Sequence, residues 1–355
     1  MKVLFVGKRF YTNRDVIEDR FGRQYWLPHT WKQLGQDVKL WLVDYHSRQS
    51  FIGEIDTLPV MATPLISWSA VRAGLASLTF RPTHVVASGD AYLGAVGWAI
   101  ARMSRARFIF DVYDKYDEFE GYRRPLGMDF YRWLLERADC CFFASRALME
   151  SDGKICGGDV ALVPNGVDPE RFRPLPKAEC RVEIGLEVSG PVVGYFGSME
   201  EGRGVSDLIE AIRRLNADGA GICLLLAGSP IPSGADKIGW IDYRGVVPHD
   251  LIPKFLGACD VLALPYRSMP IMDMGASCKS AEYLAAQRPI VTTRNHNFTK
   301  NFPEQARSLD GLMPEPGEIR GLECCINLQL ERQLTVEAPT NFGWRSIAAE
   351  ALASI

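Results

Sequence analysis

The sequence predicts an α/β protein made of two doubly wound domains, each with a parallel sheet covered by helices on both faces. A length of 355 residues is too great for one ordinary core and suits two domains. Short, continuous apolar runs alternate with helical patterns in two separate series, as expected for buried parallel strands. A composition of 47% hydrophobic and 23% charged residues is that of a globular protein.

The first series predicts an N-terminal domain over residues 1–170. Strands are predicted near residues 3–6, 38–43, 84–87, 108–112, 140–144 and 160–163, with helices over 25–34, 92–103 and 126–137. The turn formers of residues 164–169 end this series. Residues 171–190, which begin with a proline-rich run, are predicted to link the domains.

The second series predicts a C-terminal domain over residues 191–341. Its strands are expected near residues 191–197, 222–227, 241–246, 261–264 and 290–293, and its helices over 205–215, 250–258, 277–286 and 318–330. A final helix, within residues 342–355, is predicted to pack back onto the N-terminal domain. Ligands of such sheets bind beyond the carboxyl ends of the strands, so we expect a ligand cleft between the domains.

The bulk properties exclude several classes of protein. A net charge of −3 and a pI near 6.0 give no general attraction to nucleic acid. The nine cysteines show no CxxC spacing, so neither a zinc site nor a disulfide framework is indicated, and we expect a reducing cytoplasm. The first apolar run is too short for a signal peptide, and no apolar segment is long enough to span a membrane.

The most informative segment runs from Gly275 to Thr293. Small residues open a predicted helix, whose free backbone N–H groups and dipole suit a phosphate. Lys279 would add a positive charge for a diphosphate, and Glu282, one turn later, would accept hydrogen bonds from sugar hydroxyls. An ordinary capped helix with a surface Lys and Glu is the alternative.

Three further segments converge on the same predicted sheet edge. The glycine-rich turn from Gly194 to Gly204 permits close approach of a ligand, and it places Arg203 at a helix start where a phosphate would sit. Residues 243–249, which include Val246, present main-chain groups suited to a nucleobase edge. Tyr266 follows a buried strand and would border a base or ribose. Each segment taken alone also fits an ordinary strand end.

These motifs together resemble bacterial glycosyltransferases of the GT-B fold, especially glycosyltransferase family 4. The resemblance rests on Val163–Phe172, Gly197 with Arg203-Gly204, Tyr243–Asp250, Ala258–Pro265 and Glu282–Ala286. It implies two Rossmann-like domains facing a central cleft, and use of a nucleoside diphosphate sugar (NDP-sugar) as substrate with no metal and no cofactor. It also implies that Arg203 binds phosphate, that Gly275, Ala276 and Ser277 form the amide loop, and that Glu282 binds the ribose.

Two positions depart from the family pattern. Ser198 follows Gly197 where the family has a basic residue, and Met274 stands where the family has the first of two glutamates. The adjacent Asp273 is expected to supply the missing carboxylate that holds the donor sugar. The Ser277–Ser280 arrangement, with Tyr266 upstream, also resembles the xanthan-type glucuronosyltransferase, an inverting enzyme.

The N-terminal domain is expected to bind the acceptor. Asp114 follows a predicted strand, where a general base for an inverting transfer would lie; a structural helix cap is the alternative reading. The segment from Phe10 to Trp26 mixes aromatic residues with Arg20, Gly22 and Arg23, which suits stacking on sugars and pairing with an anionic acceptor.

The resemblance implies a hexosyltransferase that moves a sugar from an NDP-sugar to a hydroxyl of a glycan or glycolipid in bacterial surface polysaccharide synthesis. Retention of configuration is favoured, with inversion as the alternative. An NDP-sugar epimerase and a non-catalytic nucleotide-sugar-binding protein are the rival interpretations. Residues 68–81 and 122–133 fit either a peripheral contact with the cytoplasmic membrane face or ordinary packed helices.

Overall fold

The chain forms two compact units in the computed structural model, which describes residues 1–11, 14–47, 49–119, 121–124 and 127–355. The first unit, here called the N-terminal domain, comprises residues 1–166, 274–276 and 341–355. The second, the C-terminal domain, comprises residues 167–273 and 277–340.

The N-terminal domain is built on an eight-stranded sheet of order β10-β9-β8-β7-β1-β4-β6-β5. All neighbours are parallel except β5, which pairs antiparallel with β6. Two further short strands, β2 and β3, form a separate antiparallel pair. The strands are β1 (Lys2–Lys8), β2 (Phe10–Tyr11), β3 (Arg14–Asp15), β4 (Asp37–Asp44), β5 (Phe51–Ile55), β6 (Leu58–Pro64), β7 (His84–Ser88), β8 (Arg107–Val112), β9 (Cys140–Phe143) and β10 (Asp159–Leu162).

In the described part of the N-terminal domain, six α-helices lie before β10, and most of them begin at a side chain that caps them. Ser67, Asp90, Asp129 and Ser145 each accept a hydrogen bond from a backbone N–H of the first helical turn, which satisfies a donor that the helix itself cannot. The helices are α1 (Val16–Asp19), α2 (Arg23–Gln33), α3 (Trp68–Phe80), α4 (Ala91–Ser104), α5 (Phe130–Leu135) and α6 (Arg146–Asp152).

Both faces of the N-terminal sheet are buried. Along β1, Leu4 and Val6 pack into one apolar cluster, whereas Val3 and Phe5 pack into a second. Successive side chains of a strand point to opposite faces, so a strand covered on both sides must be apolar throughout. This explains why its sequence shows a continuous apolar run.

The C-terminal domain has a five-stranded, fully parallel sheet of order β13-β12-β11-β14-β15. Its strands are β11 (Val192–Phe196), β12 (Cys223–Ala227), β13 (Ile241–Tyr243), β14 (Val261–Leu264) and β15 (Ile290–Thr292). Its helices are α7 (Lys177–Glu183), α8 (Val205–Ala217), α9 (Ile252–Ala258), α10 (Pro270–Met274), α11 (Cys278–Ala286), α12 (His296–Thr299), α13 (Pro303–Ser308) and α14 (Ile319–Arg332). Met274, the last residue of α10, is assigned to the first unit.

The last helix, α15 (Trp344–Ala353), belongs to the N-terminal domain. It packs against α2, where Trp31 Nε1 donates to the Ala348 carbonyl at 2.7 Å. Trp344 fills a space beside Gly166, where any side chain would meet its ring, since a Cβ there would lie 2.8 Å from it.

The α/β class with two parallel, doubly wound sheets is confirmed. The short pair β2 and β3 and two strands of the main sheet, β5 and β6, escaped the sequence pattern; β5 and β6 alternate in burial. Residues 171–190, predicted as a linker, include helix α7, which packs on α9 because Cys180 is buried against Gly257. The helix predicted over 126–137 begins at Phe130, and Leu126 lies outside the described residues.

Candidate functional site: a cationic cluster at the carboxyl edge of the C-terminal sheet

The turn after β11 brings the backbone close to a lysine. Gly197 has φ 126°, a region that favours glycine, and a Cβ there would lie 2.0 Å from Lys279 Cε. Gly204, which precedes α8, has φ 67°, and a Cβ there would lie 1.8 Å from the Pro265 carbonyl oxygen. The positive φ favours glycine at Gly197, and at Gly204 both the positive φ and the close approach of the Pro265 backbone require it.

A buried tyrosine lies beneath the guanidinium of Arg203. Tyr266 is 1% exposed, and the Arg203 Cζ lies 5.2 Å from the centre of its ring. The Tyr266 hydroxyl is 2.8 Å from Ser277 Oγ, at the start of α11. Burial would raise the pKa of Tyr266, but the positive charges of Lys279 and Arg203 lower it below its usual value.

Lys279 lies in the first turn of α11, at the same cluster. Its Nζ is 5.7 Å from the centre of the Tyr195 ring. Burial lowers the pKa of Lys279, and the nearby charge of Arg203 lowers it further, although the hydroxyl of Tyr266 opposes this. An anion at this position would restore a favourable environment for the ammonium group, so the site has the electrostatics of an anion receptor.

The start of α11 adds backbone donors to these two cations. Ser277 is its N-cap, yet no side-chain hydrogen bond caps the helix among the residues that the structure describes. The first N–H groups of a helix have no partner within the helix, and they carry partial positive charge. Together with Arg203 and Lys279, they suit the oxygens of a diphosphate.

The lowered pKa of Lys279 predicts how the binding of a nucleoside diphosphate depends on pH. Only the protonated lysine attracts the diphosphate, and ionised Tyr266 would repel it. The affinity should therefore fall as the pH rises above neutral, with the loss beginning below the usual lysine value of 10.5. Calorimetric titration of UDP at increasing pH measures this dependence.

Lys279→Arg is the matched comparison, because a guanidinium stays protonated across this range. Its affinity should decline at a higher pH than that of the unaltered chain. Parallel pH profiles for the two proteins would show that Lys279 does not titrate at the binding site.

Ser198 and Val246 are two further residues that the sequence predicted to bind the donor. Ser198 Oγ is buried and bonds to no group in the described part of the chain, whereas the Ser198 carbonyl accepts from the Tyr195 hydroxyl. Val246 follows β13 and is 70% exposed, so this residue is accessible to a nucleobase.

Glu282 is buried in α11 and contacts a histidine that the sequence pattern did not single out. His249 Nε2 lies 2.9 Å from Glu282 Oε1, and the His249 ring packs 5.3 Å from that of Phe172. This geometry fixes the direction of the carboxylate. The Tyr243–Asp250 motif contained the histidine, but its spacing gave no sign of a carboxylate partner.

We expect both members of this pair to affect donor binding. Glu282→Gln keeps the shape but removes the charge that strengthens hydrogen bonds to ribose hydroxyls, and His249→Ala frees the carboxylate to rotate. Each substitution should weaken NDP binding by about tenfold, which is the lower end of the range for losing a residue that orients a ligand-binding group. His46→Ala, an exposed histidine of the N-terminal domain, is the control. Unchanged affinity with normal thermal stability would make the pair structural.

Asp273 lies in the C-terminal domain, near the end of α10. Its Oδ2 accepts from Ser268 Oγ at 2.6 Å, and its Oδ1 accepts from the His296 N–H at 3.4 Å. The carboxylate is partly exposed. That it holds the donor sugar stays a prediction.

The next residues along the chain, Met274 to Ala276, belong to the N-terminal domain. Ser145 Oγ donates to the Met274 carbonyl, and Asn165 Nδ2 donates to the Ala276 carbonyl at 2.8 Å. The predicted amide loop of Gly275, Ala276 and Ser277 is therefore divided between the two units.

Asp114 follows β8 at the carboxyl edge of the N-terminal sheet. It is partly buried, and its Oδ1 accepts from the Lys115 N–H at 3.0 Å. The short 3-10 helix at Tyr116–Glu118 has Lys115 as its N-cap residue, and α5 is capped by Asp129. The structure therefore does not bear out the helix-cap alternative for Asp114.

Arg23 is a structural residue rather than a surface one. Its guanidinium is fully buried, and Nε and Nη2 donate to Asp111 at 2.9 and 2.6 Å. Nη1 donates to the Val163 carbonyl and to Asn165 Oδ1. A buried guanidinium with these partners holds β8 to α2. It is not accessible to an acceptor, so the prediction that Arg23 contacts one is wrong.

Of the other two predicted acceptor residues, Gly22 is buried and Arg20 lies at the surface. Gly22 has φ 74°, and a Cβ there would lie 2.4 Å from the Tyr11 ring. Arg20 is exposed, and it pairs with Asp56 at 2.5 Å. An acceptor role for these two stays a prediction.

A metal site is not evident in the described residues. Within the described ranges, no three His, Cys, Asp or Glu side chains lie close enough to hold an ion. Likewise, no described helix has the length and apolar character needed to cross a bilayer.

The cationic cluster lies in the part of the chain that matches a known protein family. Residues 190–325 match the family described as Glycosyl transferases group 1. A 2-deoxystreptamine glucosyltransferase of Streptomyces kanamyceticus is 27% identical over 173 residues, which are 43% of this chain and 43% of that protein. The chain spans half or less of the length of the curated relatives it matches.

Solved structures show the same fold over the whole chain. Sucrose-phosphate synthase from Thermosynechococcus elongatus superposes with a TM-score of 0.73 at 15% identity, covering 99% of this chain and 98% of that one. HepE of Anabaena, in complex with UDP and glucose, superposes with a TM-score of 0.73 at 17% identity, covering all of both chains. The GT-B fold is thereby confirmed; the likeness to the xanthan-type glucuronosyltransferase stays a prediction.

Proposed function

We propose that this chain of GT-B fold, whose residues 190–325 match the family described as Glycosyl transferases group 1, is a glycosyltransferase that uses an NDP-sugar as donor. The observation that carries this proposal is the pair of cations, Arg203 and Lys279, placed around the buried Tyr266 at the start of α11. The acceptor is a hydroxyl of a glycan or glycolipid, and the transferred sugar is a hexose.

The cluster supports the chemistry at the leaving group. When the bond between the sugar C1 and the diphosphate oxygen breaks, negative charge grows on the diphosphate. Fixed cations and helix N–H groups that already face this oxygen stabilise that charge without rearranging. The residues of the cluster supply this charge themselves, and we propose that no metal or cofactor takes part.

We propose retention of the anomeric configuration, because the motifs of the chain resemble glycosyltransferase family 4 over most of its length and residues 190–325 match the model for Glycosyl transferases group 1. Asp273 would then hold the donor sugar in place of the glutamate that Met274 replaces. Inversion is the second candidate, favoured by the position of Asp114 directly after β8.

The test begins with a thermal-shift screen of NDP-sugars, because a ligand that binds the folded state raises the unfolding temperature. The stabilising donor is then incubated with the chain and a mixture of glycan and glycolipid acceptors. Release of NDP with a glycosylated product supports the proposal. A new NDP-sugar would instead show an epimerase, and binding with neither product would show a non-catalytic binding protein.

A further inference from the structure

Helix α3 of the N-terminal domain has its large apolar side chains on the solvent side. Trp68, Val71 and Leu75 are 83%, 52% and 60% exposed. Its buried positions are Ala73, Ser77 and Phe80, of which only Phe80 carries a large apolar side chain. A helix that merely covers a sheet shows the opposite arrangement, with its large apolar residues inward.

The apolar surface continues beyond the helix. Ile66, in the turn before α3, is 93% exposed. Ile52 of the edge strand β5 is 81% exposed and lies opposite Met61 of β6. Directly opposed side chains point to the same face of a sheet, and Met61 packs on the side that α3 covers. We call Ile52, Ile66, Trp68, Val71 and Leu75 the α3 surface.

Next to the α3 surface the chain is poor in acidic residues over a long stretch, although Glu54 lies two residues after Ile52 on the same exposed face of β5. Residues 57–89 contain no Asp or Glu but include Arg72 and Arg81. Arg72 is exposed and follows Val71 on the solvent side of the helix. Basic side chains beside exposed Trp and aliphatic groups are the combination that binds the interface of an anionic bilayer.

The second segment with this composition does not share the exposure. In residues 127–133, Tyr131 is buried and Trp133 packs at 4.7 Å against Trp98. Tyr122 donates to Asp129. Although Met128 is 47% exposed, the large aromatic residues of that segment pack inward, so the apolar surface of α3 is the more open of the two.

We propose that the α3 surface docks the protein on a bilayer containing anionic phospholipid. Ile66, Trp68, Val71 and Leu75 enter the interfacial region, and Arg72 contacts the lipid phosphates. The surface is formed by protruding side chains of a helix and the turn before it, which suits a planar lipid interface. This inference does not depend on glycosyl transfer. Because α3 begins at the edge of the sheet where Asp114 lies, docking would also bring a glycolipid acceptor near Asp114. This last consequence alone rests on the proposed function.

The test is flotation of the full chain with phosphatidylcholine vesicles, with and without phosphatidylglycerol. The chain should float with the phosphatidylglycerol vesicles, and less so as salt rises. Replacing Trp68 and Leu75 together by serine should lower the bound fraction by about tenfold or more, since two large apolar groups no longer enter the lipid. Arg72→Gln should lower it by about fivefold, the scale for one basic residue at an anionic surface.

Val182→Ser is the control, because Val182 is an equally exposed apolar residue on α7 of the other domain. It should leave flotation unchanged. All four positions are exposed, so the variants should keep the thermal stability of the unaltered chain, and UDP titration checks the donor site separately. Equal flotation of the double variant, or no flotation of the unaltered chain, would overturn the proposal. So would a dimer that dissociates on the Trp68 and Leu75 substitutions, since the α3 surface would then join two copies.

Discussion

Replacing either Arg203 or Lys279 by alanine is expected to weaken the binding of a nucleoside diphosphate by about 1.5–3 kcal/mol, roughly ten- to 150-fold. Each substitution removes a charged donor from a diphosphate that has left water. Titration calorimetry with UDP, or with the diphosphate that the thermal-shift screen selects, measures the change.

Two surface cations of the same domain serve as matched controls. Arg213 pairs with Glu210 on α8, and Lys254 pairs with Glu183. The Arg213 and Lys254 side chains are 58% and 41% exposed, and each is paired with a glutamate outside the cluster. Their alanine variants should bind UDP as the unaltered chain does. Equal affinities for all four variants would show that the diphosphate does not bind at the cluster.

Asp114→Asn separates the two stereochemical outcomes of transfer. If Asp114 is the general base of an inverting reaction, transfer should slow by about 10²–10⁴-fold, while NDP-sugar affinity stays the same. If configuration is retained, as proposed, the loss should be smaller. The anomeric proton coupling of the product, measured by NMR, decides between them.

Asp117→Asn gives a matched carboxylate change nearby, since Asp117 pairs with Lys115 in the same segment. A large rate loss for Asp114→Asn alone, together with an inverted product, would overturn the proposed retention. A retained product would exclude Asp114 as the general base, whatever the rate.

The sequence predicted both sheets because their strands are buried on two faces. β1, β7, β8 and β9 each contain an apolar run of three or more residues, as is typical of a parallel strand with helices on both sides. The edge strand β5 and its neighbour β6 escaped detection because one face of each is partly exposed, so neither has an unbroken buried run like that of residues 3–7 in β1.

The candidate site was predicted in part. Lys279 and Arg203 were named from helix starts and glycine-rich turns, which are local features of the sequence. The contact between His249 and Glu282 joins residues 33 positions apart, and no local spacing encodes it. Arg23 shows the opposite problem: its sequence neighbours are aromatic, as in a sugar-binding surface, but Asp111, 88 positions away, holds it in the core. Burial set by distant partners is invisible to a local pattern.

The central claim is that a diphosphate binds between Arg203 and Lys279, above the turn at Gly197. A crystal structure of the chain with UDP, or with the diphosphate selected by the screen, tests it directly. We expect oxygens of the diphosphate within hydrogen-bonding distance of both the Arg203 guanidinium and Lys279 Nζ, with the backbone N–H groups at the start of α11 beside them. A nucleotide bound elsewhere, or one whose diphosphate contacts neither cation, would contradict the account.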